Sequence, residues 1–260
     1  MKRILPAILL AAPLLGGPAI AQQSAASLGI DAPDDVLLIG NSYFYYNDSL
    51  HNHVRRMVAE GLGVPMGDLK YVSITISGGS LGYHPIDHYL ESGNVGADRP
   101  FDLVILQGHS AAALSEKRTA AFDEAVDAAA AKIKAAGATP ALYMTHAYDE
   151  GHKQYDPDNI EKIRALYNEA GARADALVIP VGLAFEEARR RRPDLELQQD
   201  YDHSHPTLAG TYLAAATVYA SVYGRSPVDL TYDYFGRVDP DTAAFLRQVA
   251  QDTVTSFYTN

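Results

Sequence analysis

Near the end of the chain, Tyr201-Asp202-His203-Ser204-His205-Pro206 sets an acid three positions before a histidine. In an irregular stretch, such a carboxylate can fix the imidazole tautomer. It can also stabilise the imidazolium formed when the ring takes a proton from a serine. The plainer alternative is a surface Asp-His cluster, or an aspartate capping the helix expected from Thr207. Three serines follow strand-like segments and compete as nucleophile. Ser42 ends Val36-Leu37-Leu38-Ile39-Gly40-Asn41-Ser42, Ser80 lies in Gly78-Gly79-Ser80-Leu81-Gly82, and Ser110 lies in Gly108-His109-Ser110-Ala111-Ala112. The second matches G-x-S-x-G and the third nearly does. In that elbow arrangement, however, the acid and the histidine come from separate loops after separate strands. An acid and a histidine three residues apart suit a fold in which one late loop supplies both, and this points to Ser42.

Other residues could reach the same place. His146 follows a strand-like segment and would contact substrate. The run Tyr43-Phe44-Tyr45-Tyr46 could stack on a sugar ring, line an acyl pocket, or pack beneath a helix. Three histidine pairs, His51/His53, His84/His88 and His203/His205, raise a metal reading, since spacing i, i+4 would set His84 and His88 on one helix face. No glutamate-bearing metalloprotease motif accompanies them and His205 already has a role, so no metal is expected.

The elements that must position these groups alternate. Short apolar or β-branched runs at 36–39, 71–76, 101–107, 141–144 and 176–181 read as strands. Between and after them, helical patterns fall at 50–61, behind Asp48 or Ser49 as cap, and at 119–136, 183–192 and 207–223. Asp156-Pro157 and Asp239-Pro240 read as N-caps with proline at the first helical position, opening helices to about 173 and 257. Strand-helix alternation predicts an α/β fold, a three-layer α/β/α sandwich around a mostly parallel five-stranded sheet. Sites in such sheets gather at the C-terminal strand edge. Ser42, the Gly78-Gly79 loop and the Gln107-Gly108 turn would then share one rim. The run Arg189–Arg192 reads as the solvated end of a helix.

Lys2 and Arg3 precede an apolar run at 4–15, and Ala19-Ile20-Ala21 offers a small-x-small cleavage site. Residues 1–21 therefore read as a secretory signal, too short in its apolar part to span a bilayer, 22–35 as a linker and 36–260 as one domain. A periplasmic or secreted location is expected. Loss of the signal would take the formal charge from −11 to −13, because 1–21 holds Lys2 and Arg3 and no acid. So acidic a chain is a poor partner for nucleic acid or anionic membranes. With no cysteine, disulfides, thiolate-held zinc and thiol catalysis are excluded.

With these residues in view, the sequence resembles the SGNH (GDSL-like) hydrolases, whose four blocks can be matched in order across nearly all of the expected mature chain. The Gly-Asp-Ser block stands as Gly40-Asn41-Ser42, and the second block's glycine falls at Gly78, with Gly79 as the register alternative. The third block, usually Gly-x-Asn-Asp, reads Gln107-Gly108-His109-Ser110, a wording that resembles the sialate-acetylesterase-like branch. The last, Asp-x-x-His, is Asp202 to His205. The resemblance implies a flavodoxin-like sheet and a serine esterase with Ser42 as nucleophile, His205 as base and Asp202 orienting it. It implies an oxyanion hole of Ser42 N–H, Gly78 N–H and a side chain, either Gln107 or Ser110, with Gln107 preferred. Tyr43, Gly79, Ser110 and His146 are the expected substrate contacts. The implied substrates are short acyl esters, acetyl above all, of small molecules or glycans. Lipases and thioesterases share the pattern, and a non-catalytic carbohydrate-binding protein on the same scaffold is the competing class. No cofactor is implied.

Overall fold

A computed structural model of the chain describes residues 22–259. The expected export signal at 1–21 lies outside the described residues. The five strands are Asp35–Gly40 (β1), Lys70–Thr75 (β2), Leu103–Gln107 (β3), Thr139–Tyr143 (β4) and Leu177–Ile179 (β5). All pair in parallel, in the order β2-β1-β3-β4-β5. The helices are α1 (Ser42–Tyr45), α2 (Leu50–Leu62), α3 (Ile86–Leu90), α4 (Glu116–Ala135), α5 (Asn159–Ala174), α6 (Val181–Arg191), α7 (Leu208–Tyr223) and α8 (Pro240–Thr259). Among the described residues no helix is long and apolar enough to cross a membrane.

Why β1 and β3 carry the unbroken apolar runs Val36–Ile39 and Leu103–Leu106 follows from their place: every residue in both strands is buried, as in a sheet covered on both faces. Strand alternation then divides the core. Val36, Leu38, Leu103, Ile105 and Tyr143 pack with α2, α6, α7 and α8 on one face, while Leu37, Ile39, Val104, Leu106 and Leu142 pack with α3, α4 and α5 on the other. α7 is buried without a break from Gly210 to Val222, because α2, α6 and α8 enclose it. Each fully buried leucine or isoleucine in these layers contributes roughly 1.5–3 kcal/mol relative to exposure.

Several local expectations differ from the structure. Asp239 does cap α8, accepting the Thr242 N–H at 3.0 Å, with Pro240 at the first helical position. Asp156 does not cap α5: it accepts the Asp158 N–H at 2.9 Å and pairs with Lys162, so that the helix begins after this turn. His84 and His88 do not share a helix. His84 is buried before α3 and its Nε2 bonds to the Gly40 carbonyl at 3.1 Å, whereas His88 is exposed within α3. Residues expected to form a linker lie against the domain, with Ala25 in the core and the Gln23 amide donating to Asp175 at 2.7 Å.

The strand order changes direction between β1, with β2 on one side, and β3 on the other. The C-terminal ends of these strands flank the crevice where a parallel sheet collects its ligands. Both Ser42 and Gln107-Gly108 emerge there.

Candidate active site

Ser42 stands one residue beyond the end of β1, after Asn41, and opens α1, the one-turn helix made by the aromatic run. Asn41 holds this turn in place. Its backbone N–H donates to the Gln107 side-chain oxygen at 3.0 Å, and its own side-chain oxygen accepts the Tyr43 N–H at 3.2 Å. Its amide nitrogen donates to the carbonyls of Gly79 at 3.1 Å and Gly108 at 3.4 Å. One buried amide thus ties together the loops after β1, β2 and β3. Gly40 is required beside it, since a Cβ there would stand 2.6 Å from the Gln107 oxygen.

The late loop is held as firmly. Asp202 bends it into a tight turn, its Oδ1 accepting the N–H groups of Ser204 and His205, each at 3.0 Å. The His205 Nδ1–H meets Asp202 Oδ2 at 2.5 Å, and His205 Nε2 lies 2.8 Å from Ser42 Oγ. Burial raises the Asp202 carboxyl, but the His205 ring and the two backbone donors outweigh it and hold the group below its usual range. An ionised acid, an imidazole with its Nδ1 proton fixed and a serine hydroxyl therefore stand in line. Such a line can lift the hydroxyl proton as Oγ attacks a carbonyl and return it to a leaving oxygen. The N–H groups of Ser42 and Gly78 donate to nothing among the described residues and are free for an oxyanion. Gly78 has φ +62°, a backbone that favours glycine. Of the two register alternatives Gly78 is the one at the site, because the Gly79 N–H is spent on the Ile76 carbonyl at 2.9 Å.

Similar solved structures bear on the fold that carries this arrangement. A DUF4886 family protein from Bacteroides uniformis superposes with TM-score 0.65 at 19% identity, over 86% of this chain and 95% of that one. A protein of Slackia heliotrinireducens assigned as an SGNH hydrolase gives TM-score 0.56 at 20% identity, over 72% and 97%. The fold is that of the SGNH hydrolases. The acetyl xylan esterase AlAXEase is similar at TM-score 0.56 and 14% identity, over 72% of this chain and 98% of that one. No family model matches the chain, and no curated relative matches it.

Set on the SGNH fold, the third block needs correction. Gln107 is buried at the end of β3, its oxygen taking the Asn41 N–H and its nitrogen donating to the Gly108 carbonyl. Both ends of the amide are spent on backbone, so Gln107 braces the nucleophile turn and is not aimed at a substrate. Ser110 lines the recess with Ser42, Gly78, His109 and His205, and its Oγ bonds to the Tyr148 hydroxyl at 2.8 Å. The recess is about 240 Å³.

One further expected substrate contact is corrected. His146 is 1% exposed and its ring supports the site from beneath, whereas Tyr43, 3% exposed, lines the recess beside Ser42 and Ser110. The His146 ring stacks between Tyr43 and Phe185, 4.2 Å from each centroid, and its Nε2 donates to the Ser204 carbonyl at 2.8 Å. Tyr43 adds a hydrogen bond between its hydroxyl and Ser204 Oγ at 2.9 Å. These contacts fix Ser204, the residue that precedes His205 in the chain.

What the sequence did not reveal is the role of Tyr46, whose ring stacks on His205 at 4.3 Å and 12°. The aromatic run was its only signal. Ser80 lines a neighbouring recess and not this one. Among the described residues, the group of acids and histidines close enough to hold a metal is Asp34, Asp35 and Asp102, at the opposite end of the strands. There Asp35 is paired with Arg99 at 2.8 Å and Asp102 accepts the N–H groups of Asp34 and Asp35. The histidine pairs form no such group.

Proposed function

We propose that the protein is an exported serine ester hydrolase acting on short acyl esters of hydroxyl compounds, sugars among them. The observation that carries this reading is the continuous line from Asp202 Oδ2 through His205 to Ser42 Oγ, at 2.5 and 2.8 Å, beside two unspent N–H groups. Ser42 Oγ bonds to the ester carbonyl carbon as His205 takes its proton. The tetrahedral oxyanion accepts from the Ser42 and Gly78 N–H groups and from Ser110, which Tyr148 holds in place; the alcohol leaves with the proton from His205. Water, deprotonated by His205, then attacks the acyl-serine, which releases the acid and restores Ser42. On the His205 side stand the exposed rings of Tyr45 and Tyr201, with Tyr46 between them, a platform suited to the face of a sugar. The likeness to an acetyl xylan esterase supports ester chemistry on such a scaffold. Export rests on the signal pattern at 1–21 and is checked by the N-terminal sequence of the mature protein, expected to start at Gln22.

The test is a panel of p-nitrophenyl esters of graded chain length beside acetylated sugars. Wild-type protein should turn over short esters, and Ser42→Ala should lose at least about 10³-fold in kcat. Activity of the variant within a few-fold of wild type would refute the assignment.

A further inference from the structure

A second recess, of about 220 Å³, adjoins the catalytic one. The two share Gly78 and His109, but only the catalytic recess is lined by Ser204 and His205. That asymmetry says which part of an ester each can take. The leaving oxygen must face His205, which protonates it, and the carbonyl oxygen must face the N–H groups of Ser42 and Gly78. The acyl substituent is left pointing away from His205, past Gly78 and His109, into the second recess. Its buried lining is apolar, formed by Leu81, Ala112 and Phe122. At about 30 Å³ per water, it offers far more room than the methyl of an acetyl group fills.

The charge at this recess is unusual for so acidic a chain. Its rim carries Arg118, an exposed residue in the first turn of α4, and none of its lining residues is an acid. Among the described residues, Arg118 has no ion pair and no side-chain hydrogen bond. Arg99, Arg164, Arg173 and the run Arg189–Arg191 each have a carboxylate partner, and of the arginines without one, such as Arg56, Arg192, Arg225 and Arg237, Arg118 is the one that lines either of these two recesses. His109 does not compete for an anion as a second cation. Its Nδ1 accepts the Ala111 N–H at 3.0 Å, and burial, with the charge of Arg118 as the lesser cause, pushes its basicity below the ordinary value. The neutral ring therefore presents its Nε2–H as a further donor. A recess next to that of Ser42, with Leu81, Ala112 and Phe122 buried in its lining and an unpartnered guanidinium at its rim, matches a chain with a carboxylate at its far end.

We propose that this recess is the acyl site, and that it selects acyl groups ending in a carboxylate, half-esters of short dicarboxylic acids such as succinic or glutaric acid, with Arg118 holding the terminal carboxylate. The inference rests on the esterase reading for its orientation and narrows that reading to one acyl class. A guanidinium pairs with a carboxylate through two parallel N–H···O bonds, which gives direction as well as charge.

The experiment compares p-nitrophenyl hemisuccinate and hemiglutarate with the neutral butyrate and pentanoate esters of matching length. The wild-type protein should favour the charged member of the better pair by tenfold or more in kcat/KM. Arg118→Gln should bring that ratio to about one and Arg118→Lys should restore part of it, with thermal midpoints confirming that both variants are folded. A wild-type ratio of one or less, or a ratio unchanged in Arg118→Gln, overturns the proposal. Binding of monomethyl glutarate and methyl pentanoate, followed by ligand-observed NMR, gives a readout that needs no turnover. The glutarate should bind the wild type and lose at least fivefold in affinity in Arg118→Gln; equal binding of both compounds, or equal binding to both proteins, overturns the acyl site. Absence of turnover on every ester would instead refute the hydrolase reading, and the binding result would still decide the role of Arg118.

Discussion

His146 makes the site sensitive to acid in a way that can be worked out from its surroundings. The ring is 1% exposed, stacked between Tyr43 and Phe185, with Nε2 donating to the Ser204 carbonyl and Nδ1 buried without a partner. Burial pushes its basicity from the ordinary 6.5 down to about 3, and the bond to Ser204 opposes this only in part. Between those pH values the unfolded chain binds a proton that the folded chain does not, so stability is full above pH 6.5 and falls as pH drops towards 3. The slope is at most about 1.4 kcal/mol per pH unit, which amounts to about 2 kcal/mol at pH 5. His146→Phe keeps a ring in the stack, removes the titration and gives up the donor to Ser204, at a cost of roughly 1 kcal/mol at neutral pH. Urea unfolding of both proteins at pH 7 and pH 5 isolates the effect. His53 and His84, also depressed by burial, contribute to both proteins and cancel in the difference. The variant should lose about 2 kcal/mol less than wild type between the two pH values. Equal losses would show that His146 does not carry the acid sensitivity.

Three substitutions probe the rest of the site. Asp202→Asn should keep the loop, since an amide oxygen can still accept the Ser204 and His205 N–H groups, yet lower kcat by about 10³–10⁴-fold through loss of the acceptor at Nδ1; steady-state kinetics with a thermal melt as control would decide it. Tyr46→Leu removes the ring that faces the His205 imidazolium, an interaction worth roughly 0.5–1 kcal/mol at an accessible site. Its kcat should fall about two- to fivefold and the acid limb of the kcat/KM profile should move to lower pH, with Tyr46→Phe close to wild type; an unmoved profile would limit Tyr46 to packing. Asn41→Asp puts a carboxylate against the Gly79 and Gly108 carbonyls that the amide now serves and should cost about 2 kcal/mol or more in urea unfolding.

Ser42, His205 and Asp202 were legible in the sequence as candidates because their signals are local. Ser42 stands just beyond an apolar strand, and Asp202 and His205 lie three residues apart in one turn, so no distant contact was needed to see them. The strands were legible for the same reason: a sheet covered on both faces writes itself as uninterrupted apolar runs such as Leu103–Leu106. Gln107 was misread because a strand end places successive side chains on opposite sides, and only the position of Asn41 reveals which way its amide turns. His146 and Tyr43 depend on three segments meeting, since their stack includes Phe185 of α6 and supports Ser204 in the late loop. No spacing in the chain encodes that. The pair His84/His88 failed as a helix-face pattern because Pro85 separates His84 from the helix that starts at Ile86.

The central claim is that Ser42 is the activated nucleophile, and covalent labelling tests it most directly. Wild-type protein incubated with a fluorophosphonate at neutral pH should gain one adduct by intact mass, mapped by peptide fragmentation to Ser42. Asp202→Asn should label far more slowly, and heat-denatured protein should not label at all. Labelling at Ser80 or Ser110, or equal labelling of native and denatured protein, would contradict the account.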